Sequence, residues 1–394
     1  MANFADLITF SRASVGWYFN SSGNLVQAAI NEPRFDYTAI SGRQPGLLLE
    51  PAATEDNPRT TVTTSTVAST GTLTVTDLTL SVFGVFPGVL CTSNGTLANT
   101  ARVTSANGFA VTSGVERTVE VYYRVGTSGR CRVILFNNSS STTSIINGVA
   151  GSLTVNTSAA GTVTIVSDQL TSDGLTRRLR LRFTPNASGT ILLGVGPDSA
   201  TVGHTVTFVT YFTRVGNVFT SPILTSGSAV TRSADVATVS QAATWFDNSN
   251  GTFFGEFRMS YADNGLVPEV LLFRINSGTY ASLGHSVFVG TFDTATGRPN
   301  YRLETASGDI TVQGGANDYS PDSDIAVKAS ITYSVTTAKL CFGGGTVYSG
   351  VPLGSLPDMT SYNLTLGGAA PVTVLNLNYK PSTSSNAELQ ALTA

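Results

Sequence analysis

His204 and His285 are the only imidazoles in the chain, so any histidine-activated nucleophile must use one of them. They lie in Val202-Gly203-His204-Thr205-Val206 and Leu283-Gly284-His285-Ser286-Val287. Neither is accompanied by the Gly-X-Ser-X-Gly turn that would expose a serine at a strand end. Both are expected as surface imidazoles at strand ends. Glycoside cleavage needs two carboxylates across a groove, and the last third of the chain offers Glu256, Glu269 and Glu304. Glu256 has no acidic neighbour on its own strand face, because Arg258 holds the next position there. A surface Glu256–Arg258 ion pair is expected instead of an acid pair.

Metal chemistry would fall to oxygen ligands, since there is no His or Cys cluster. The richest acidic stretch is Asn317-Asp318-Tyr319-Ser320-Pro321-Asp322-Ser323-Asp324. Asp318, Asp322 and Asp324 make a Ca²⁺ candidate there, against the competing reading of a solvated loop. Asp247-Asn248-Ser249-Asn250-Gly251 lacks the glutamate of a calcium loop and reads as a turn before a strand from Thr252. Glycan recognition needs an exposed aromatic platform beside planar polar groups. Tyr301-Arg302 and Asp318-Tyr319 are the candidates, although a sandwich buries most of its aromatic rings. Cys91, Cys131 and Cys341 are widely spaced without a Cys-X-X-Cys pair. Two readings stand: buried free thiols, or a Cys91–Cys131 bridge. No cofactor is expected.

The elements that carry these residues follow from composition. Of 394 residues only 12% are charged, about half the roughly 25% usual in soluble domains, and Ser, Thr and Gly fill the difference. That excludes helical bundles and coiled coils, while 20 Phe and 13 Tyr give enough apolar bulk to exclude disorder. The net charge of −3, with Lys only at Lys328, Lys339 and Lys380, leaves no basic field for nucleic acid. No apolar run is long enough to insert in a membrane, and residues 1–10 have no cationic start of an export leader.

Alternation marks the strands. In Arg178-Leu179-Arg180-Leu181-Arg182-Phe183 the apolar residues share one face and the arginines the other, as in an antiparallel strand with one side solvated. Val119-Glu120-Val121-Tyr122, Phe253 to Met259 and Leu375 to Lys380 behave alike. Asn-Gly and Asp-Gly pairs such as Asn94-Gly95, Asn147-Gly148, Asp173-Gly174 and Asn250-Gly251 predict tight turns between them. One short helix is expected at the end, with Ser385 as N-cap, Glu388 as its capping-box partner and Leu389 and Leu392 on the apolar side. The fold class is all-β: two antiparallel β-sandwich (jelly-roll) domains behind a short N-terminal hairpin module. The boundaries are 1–55 for the module, 56–240 for a jelly roll of the carbohydrate-binding-module kind, and 241–394 for the second sandwich.

Several stretches are more specific. Ile8-Thr9-Phe10-Ser11-Arg12-Ala13-Ser14, Gly23-Asn24-Leu25-Val26, Asn31-Glu32-Pro33-Arg34-Phe35-Asp36-Tyr37 and Gly46-Leu47-Leu48-Leu49-Glu50 open the chain. Phe219-Thr220-Ser221-Pro222-Ile223 and Thr231-Arg232-Ser233-Ala234-Asp235 follow the first sandwich. Together they resemble a module of tailed-bacteriophage virion structural proteins, in which a jelly roll and a concanavalin A-like or laminin G-like sandwich follow. The resemblance departs after Glu50, where the family often runs into a "qRTNLL" strand and this chain has Asn57-Pro58-Arg59-Thr60-Thr61-Val62.

The resemblance implies a non-enzymatic virion component, namely a tail fibre, baseplate or head fibre that binds host-surface glycans. A capsid decoration protein without a receptor, or a glycan depolymerase, are the alternatives. It implies other virion proteins as partners, a homo-oligomer with a trimer favoured, and assembly in the host bacterial cytoplasm. Arg12, Trp17, Arg34 and Asp36 are then candidates for attachment to the virion or to sister subunits. The other reading is a hairpin that merely packs on the jelly roll.

Overall fold

A computed structural model of the chain describes all residues except 1, 4–6, 38–39, 41–42, 72, 80, 98–99, 241–244, 260–269, 277–282, 291–296, 317, 321–324 and 369. Among the described residues the protein is all-β apart from one C-terminal α-helix and a short 3₁₀ turn, and its strands pair antiparallel in two sandwiches. In the first sandwich one sheet runs Gly161–Leu170, Arg177–Pro185, Arg117–Val125, Thr205–Val215, Val89–Thr92, Thr74–Asp77 in spatial order. The facing sheet runs Ser152–Ser158, Thr142–Val149, Arg130–Asn137, Gly189–Gly196, Ala101–Val103, Val67–Ser69. Leu179, Leu181 and Phe183 point inward from the first sheet, beside Val119 and Val121, and meet Val133, Leu135, Leu193 and Val195 from the second. Burying each such side chain stabilises the fold by roughly 1.5–3 kcal/mol.

The second sandwich is assembled from both ends of the chain. Its larger sheet runs Val347–Gly350, Thr337–Phe342, Ala326–Ser334, Asn250–Met259, Val372–Lys380, Gly46–Leu49, Phe35–Asp36, with Ala2–Asn3 also on Val372–Lys380. The facing sheet runs Ile8–Ser11, Val236–Val239, Leu364–Leu366, Val270–Asn276, Gly284–Gly290, Arg298–Thr305, Gly308–Gln313. Residues 1–55 are therefore not a self-contained module. All four residues of Gly46–Leu49 are buried, and Leu47 and Leu49 join the core of the second sandwich. A strand buried on both faces needs a neighbour on each side, and here one is the nearby Phe35–Asp36 and the other, Val372–Lys380, lies more than 300 positions away.

The hairpin Gly16–Phe19/Leu25–Ala28 goes the other way and lies on the first sandwich. Phe19 and Leu25 pack with Val82, Phe83, Phe86, Tyr122, Val209 and Phe212. Phe83 adopts φ +54, a conformation rare for a bulky side chain. In that pose its carbonyl accepts from Leu25 N (3.0 Å), and its ring meets Phe19 and Tyr122 edge-on at 5.3 and 5.5 Å. This covering corrects the expectation of a solvated arginine face: Arg178 and Arg180 are 4% and 9% exposed.

The C-terminal helix, Asn386–Thr393, has the predicted capping box: Ser385 Oγ accepts from Glu388 N, and Glu388 accepts from Ser385 N. Leu389 is fully buried. Of these turn pairs, Gly95, Gly148 and Gly174 adopt positive φ. Asn147-Gly148 and Asn250-Gly251 nonetheless lie inside the strands Thr142–Val149 and Asn250–Met259 rather than in turns.

Candidate functional site: an ionic joint between the sandwiches

The charged residues of the resembling stretches meet in one place. Arg12 follows Ile8–Ser11, Arg34 precedes Phe35–Asp36, and Glu50 follows Gly46–Leu49. Arg232 ends Val230–Arg232, and Asp235 precedes Val236–Val239. Arg34 bridges Glu50 (2.8 Å) and Asp235, Arg12 reaches Asp235 (3.3 Å), and Arg232 reaches Glu50. None of these side chains is more than 1% exposed. Ser221, from the segment after the first sandwich, donates its hydroxyl to Glu50 (2.6 Å) and accepts from Arg34 (2.6 Å). Glu50 N donates to Asp235 (2.9 Å), while Arg232 and Arg12 also donate to the carbonyls of Pro51 and Ala29 (each 2.7 Å).

Burial would raise the Glu50 carboxyl, but Arg232 and Arg34 overcome it and hold that group far below the ordinary carboxylate range. Glu50 is thus ionised at any physiological pH. Desolvating each ion costs several kcal/mol, so such a network contributes little over an apolar core and acts instead on uniqueness of arrangement. Here it ties the N-terminal strands, the 219–222 segment and the entry to the second sandwich at one point.

A narrow crevice between the sandwiches adjoins the joint, with Glu120, Arg178 and Arg180 from the first and Arg258 and Thr373 from the second. Glu120 accepts from Arg180 (2.6 Å) and from the Tyr122 hydroxyl (2.9 Å). Burial opposes its ionisation, yet Arg180 and Arg178 keep its carboxyl low. A carboxylate so held is no proton donor at neutral pH. Glu55 behaves oppositely. It accepts from Thr213 N (2.7 Å) and Asn57 N (3.1 Å) and faces Arg214 at 3.2 Å, but full burial pushes its carboxyl up to about 8.

The glycan candidates do not form a platform. Tyr301 has no exposed surface: its hydroxyl bonds His285 Nδ1 (2.8 Å) and the two rings stack. Tyr319 is 1% exposed and donates to Met259 O (2.8 Å). The pleat turns Tyr301 inward, because Arg302 and Glu304 occupy the alternate face of Arg298–Thr305. Arg302 pairs there with Glu304 (2.7 Å) and Asp309 (3.3 Å). Asp318 is exposed and accepts from Gly315 N (2.8 Å). Asp322, Asp324 and Glu269 lie outside the described residues, so the Ca²⁺ candidate is described only at Asp318. Among the described residues no three His, Cys, Asp or Glu side chains converge as metal ligands would.

The attachment candidates are also corrected. Arg12, Arg34 and Asp36 are 1%, 0% and 7% exposed and serve the inside of this chain. Asp36 accepts from Phe19 N (2.8 Å), fastening the hairpin. Trp17 is half-buried against the hairpin cluster, and its carbonyl accepts from Arg34 (3.1 Å). His285 is likewise no surface imidazole: burial lowers it to about 3. His204, half-buried, shares a hydrogen bond with Ser199 (2.7 Å). Arg258 is buried and donates to Gln44 O (3.0 Å), so it is not a surface partner for Glu256. All three cysteines are buried free thiols. Glu50, Ser221, Arg232 and Asp235 were not singled out as site residues by sequence. The available signal was that a chain so poor in charge concentrates it in these stretches.

No family model matches the chain, and no curated protein matches it. Among solved structures it is similar to the Ruminococcus gnavus IT-sialidase CBM40, at 15% identity over 37% of this chain and 83% of that one, TM-score 0.30. It is similar to mouse laminin alpha1 chain domains LG4-5, at 11% identity over 71% and 87%, TM-score 0.24. A third is the CBM22-1-CBM22-2 tandem of Paenibacillus barcinonensis Xyn10C, at 10% over 87% and 100%, TM-score 0.28. Likenesses this low assign the chain neither a family nor a ligand.

Proposed function

We propose that the chain is a non-catalytic structural component of a tailed-phage virion, an appendage whose two sandwiches adhere to host-surface glycans. The observation that carries this reading is the convergence of Arg12, Arg34, Glu50, Arg232 and Asp235. The stretches that resemble the phage module bring their charges to a single buried joint. That joint fastens the 219–222 segment leaving the first sandwich to the strands of the second, which suits a part that transmits position rather than one that opens around a substrate. Glu120 and Glu50, held ionised by arginines, are unsuited to general acid catalysis.

Immunogold labelling of virions with antibody to the purified protein, together with adhesion of the labelled protein to host cells, tests the proposal. Label on a virion appendage together with saturable adhesion is expected. Label on capsids without adhesion would indicate a decoration protein, and absence of virion label would remove the virion assignment. Clearing of a host-cell lawn by protein alone would revive the depolymerase alternative.

A further inference from the structure

The buried charges around the joint do not cancel. Arg12, Arg34 and Arg232 meet Glu50 and Asp235 there. The crevice beside the joint adds Arg178 and Arg180 from the first sandwich and Arg258 from the second, against Glu120 and Asp36. None of these five residues is more than 9% exposed. Among the described residues gathered here, six guanidiniums therefore face four carboxylates. Arginine does not shed its charge by losing a proton inside a protein. The surplus is met by an anion, or it leaves desolvated cations at a high cost.

The carboxylates are already engaged. Glu50 is held by Arg34, Arg232 and Ser221. Glu120 accepts from Arg180 (2.6 Å) and from the Tyr122 hydroxyl (2.9 Å), and Asp36 accepts from Phe19 N (2.8 Å). Thr220, on the crevice wall, adds a donor that nothing claims. It is 5% exposed, and its buried hydroxyl has no hydrogen-bond partner among the described residues. A hydroxyl buried in that way costs free energy until an acceptor reaches it.

We propose that this crevice is a site for one tetrahedral oxyanion, phosphate or sulfate, held between Arg178 and Thr220 on one side and Arg258 on the other. Size and charge both select that class. The crevice offers about 60 Å³ to the centres of water-sized spheres, against roughly 300–1,000 Å³ for small-molecule sites. One water needs about 10–15 Å³, so an ion of five atoms has room and a sugar ring does not. A dianion supplies the two negative charges that the carboxylates leave unmet, and its oxygens match the fork of a guanidinium as a spherical halide does not. The ion would link the sandwiches, since Arg178 belongs to the first and Arg258 to the second. The site stands whether or not the sandwiches bind host glycans.

Equilibrium dialysis of the full chain against radiolabelled phosphate and sulfate, at constant ionic strength in a chloride buffer, tests this. Saturable uptake of one ion per chain is expected for at least one of them. Ion chromatography of the acid-denatured protein adds any resident ion that does not exchange. The dissociation constant should rise at least tenfold in Arg178→Gln and at least threefold in Thr220→Val. It should be unchanged in Arg102→Gln, whose guanidinium lies on the Phe136 ring (4.4 Å) in the other sheet of the first sandwich. Thr220→Val keeps the side-chain shape, so it decides the matter even where Arg178→Gln fails to fold. Neither bound nor released oxyanion, uptake that an equal concentration of chloride abolishes, or uptake undiminished in Thr220→Val and in folded Arg178→Gln would each overturn the site.

Discussion

Arg34 and Asp235 stand 201 residues apart in sequence and form an ion pair in which neither side chain has any exposed surface. The pair belongs to three arginines facing two carboxylates, so neither acid can be removed without leaving buried cations short of a counter-charge. Asp235→Asn is expected to destabilise the protein by about 3–5 kcal/mol, as when one partner of a buried pair is lost. Urea unfolding checks this, and a loss below about 1 kcal/mol would show that the joint is not holding the sandwiches.

Glu55 gives a pH signature. Its folded-state value, about 8, lies above the ordinary 4.5, so between these values the native protein keeps a proton that the unfolded chain has released. The stability it contributes is whole below pH about 4.5 and is lost as pH rises through 8. Stability should fall by about 1 kcal/mol between pH 7 and pH 9 from this group. Thermal melts of the parent should show that fall, and Glu55→Gln should flatten it. An unchanged slope in the variant would refute the assignment.

Phe83 is held at φ +54 with its ring between Phe19 and Tyr122. Phe83→Ala removes the ring and keeps the backbone strain, so a loss of roughly 3–5 kcal/mol is expected. Hydrogen exchange should accelerate first across residues 16–28, because the hairpin loses its seat. Uniform acceleration across both sandwiches would contradict that seat.

Cys91, Cys131 and Cys341 are buried, and burial pushes the Cys91 thiol up to about 12. A thiolate-specific reagent should find no reactive group in the native protein and three after denaturation without reductant. One thiol after denaturation would mean that two had paired.

Much of the fold was legible because alternation reports which residues share a face. Leu179, Leu181 and Phe183 went inward as their spacing required, and Ser385 with Glu388 marked the helix start through purely local chemistry. The same alternation places Tyr301 with Leu303 opposite Arg302 and Glu304, which is why Tyr301 belongs to the core. What alternation does not carry is the cover over the second face. Arg178 and Arg180 are polar and regularly spaced, yet a hairpin and a second sandwich lie over them. Nor does local pattern reveal partners: nothing near Glu50 announces Arg232, and nothing near Leu47 announces Val374.

The way both ends of the chain share the second sandwich bears on how the protein is made. Gly46–Leu49 leaves the ribosome with one hydrogen-bonding edge open, and Val372–Lys380, which closes it, follows only after more than 300 further residues have been added. The first sandwich can close during that interval, while residues 46–49 wait for residues 372–374. Deleting residues 8–50 would therefore damage the second sandwich rather than the first.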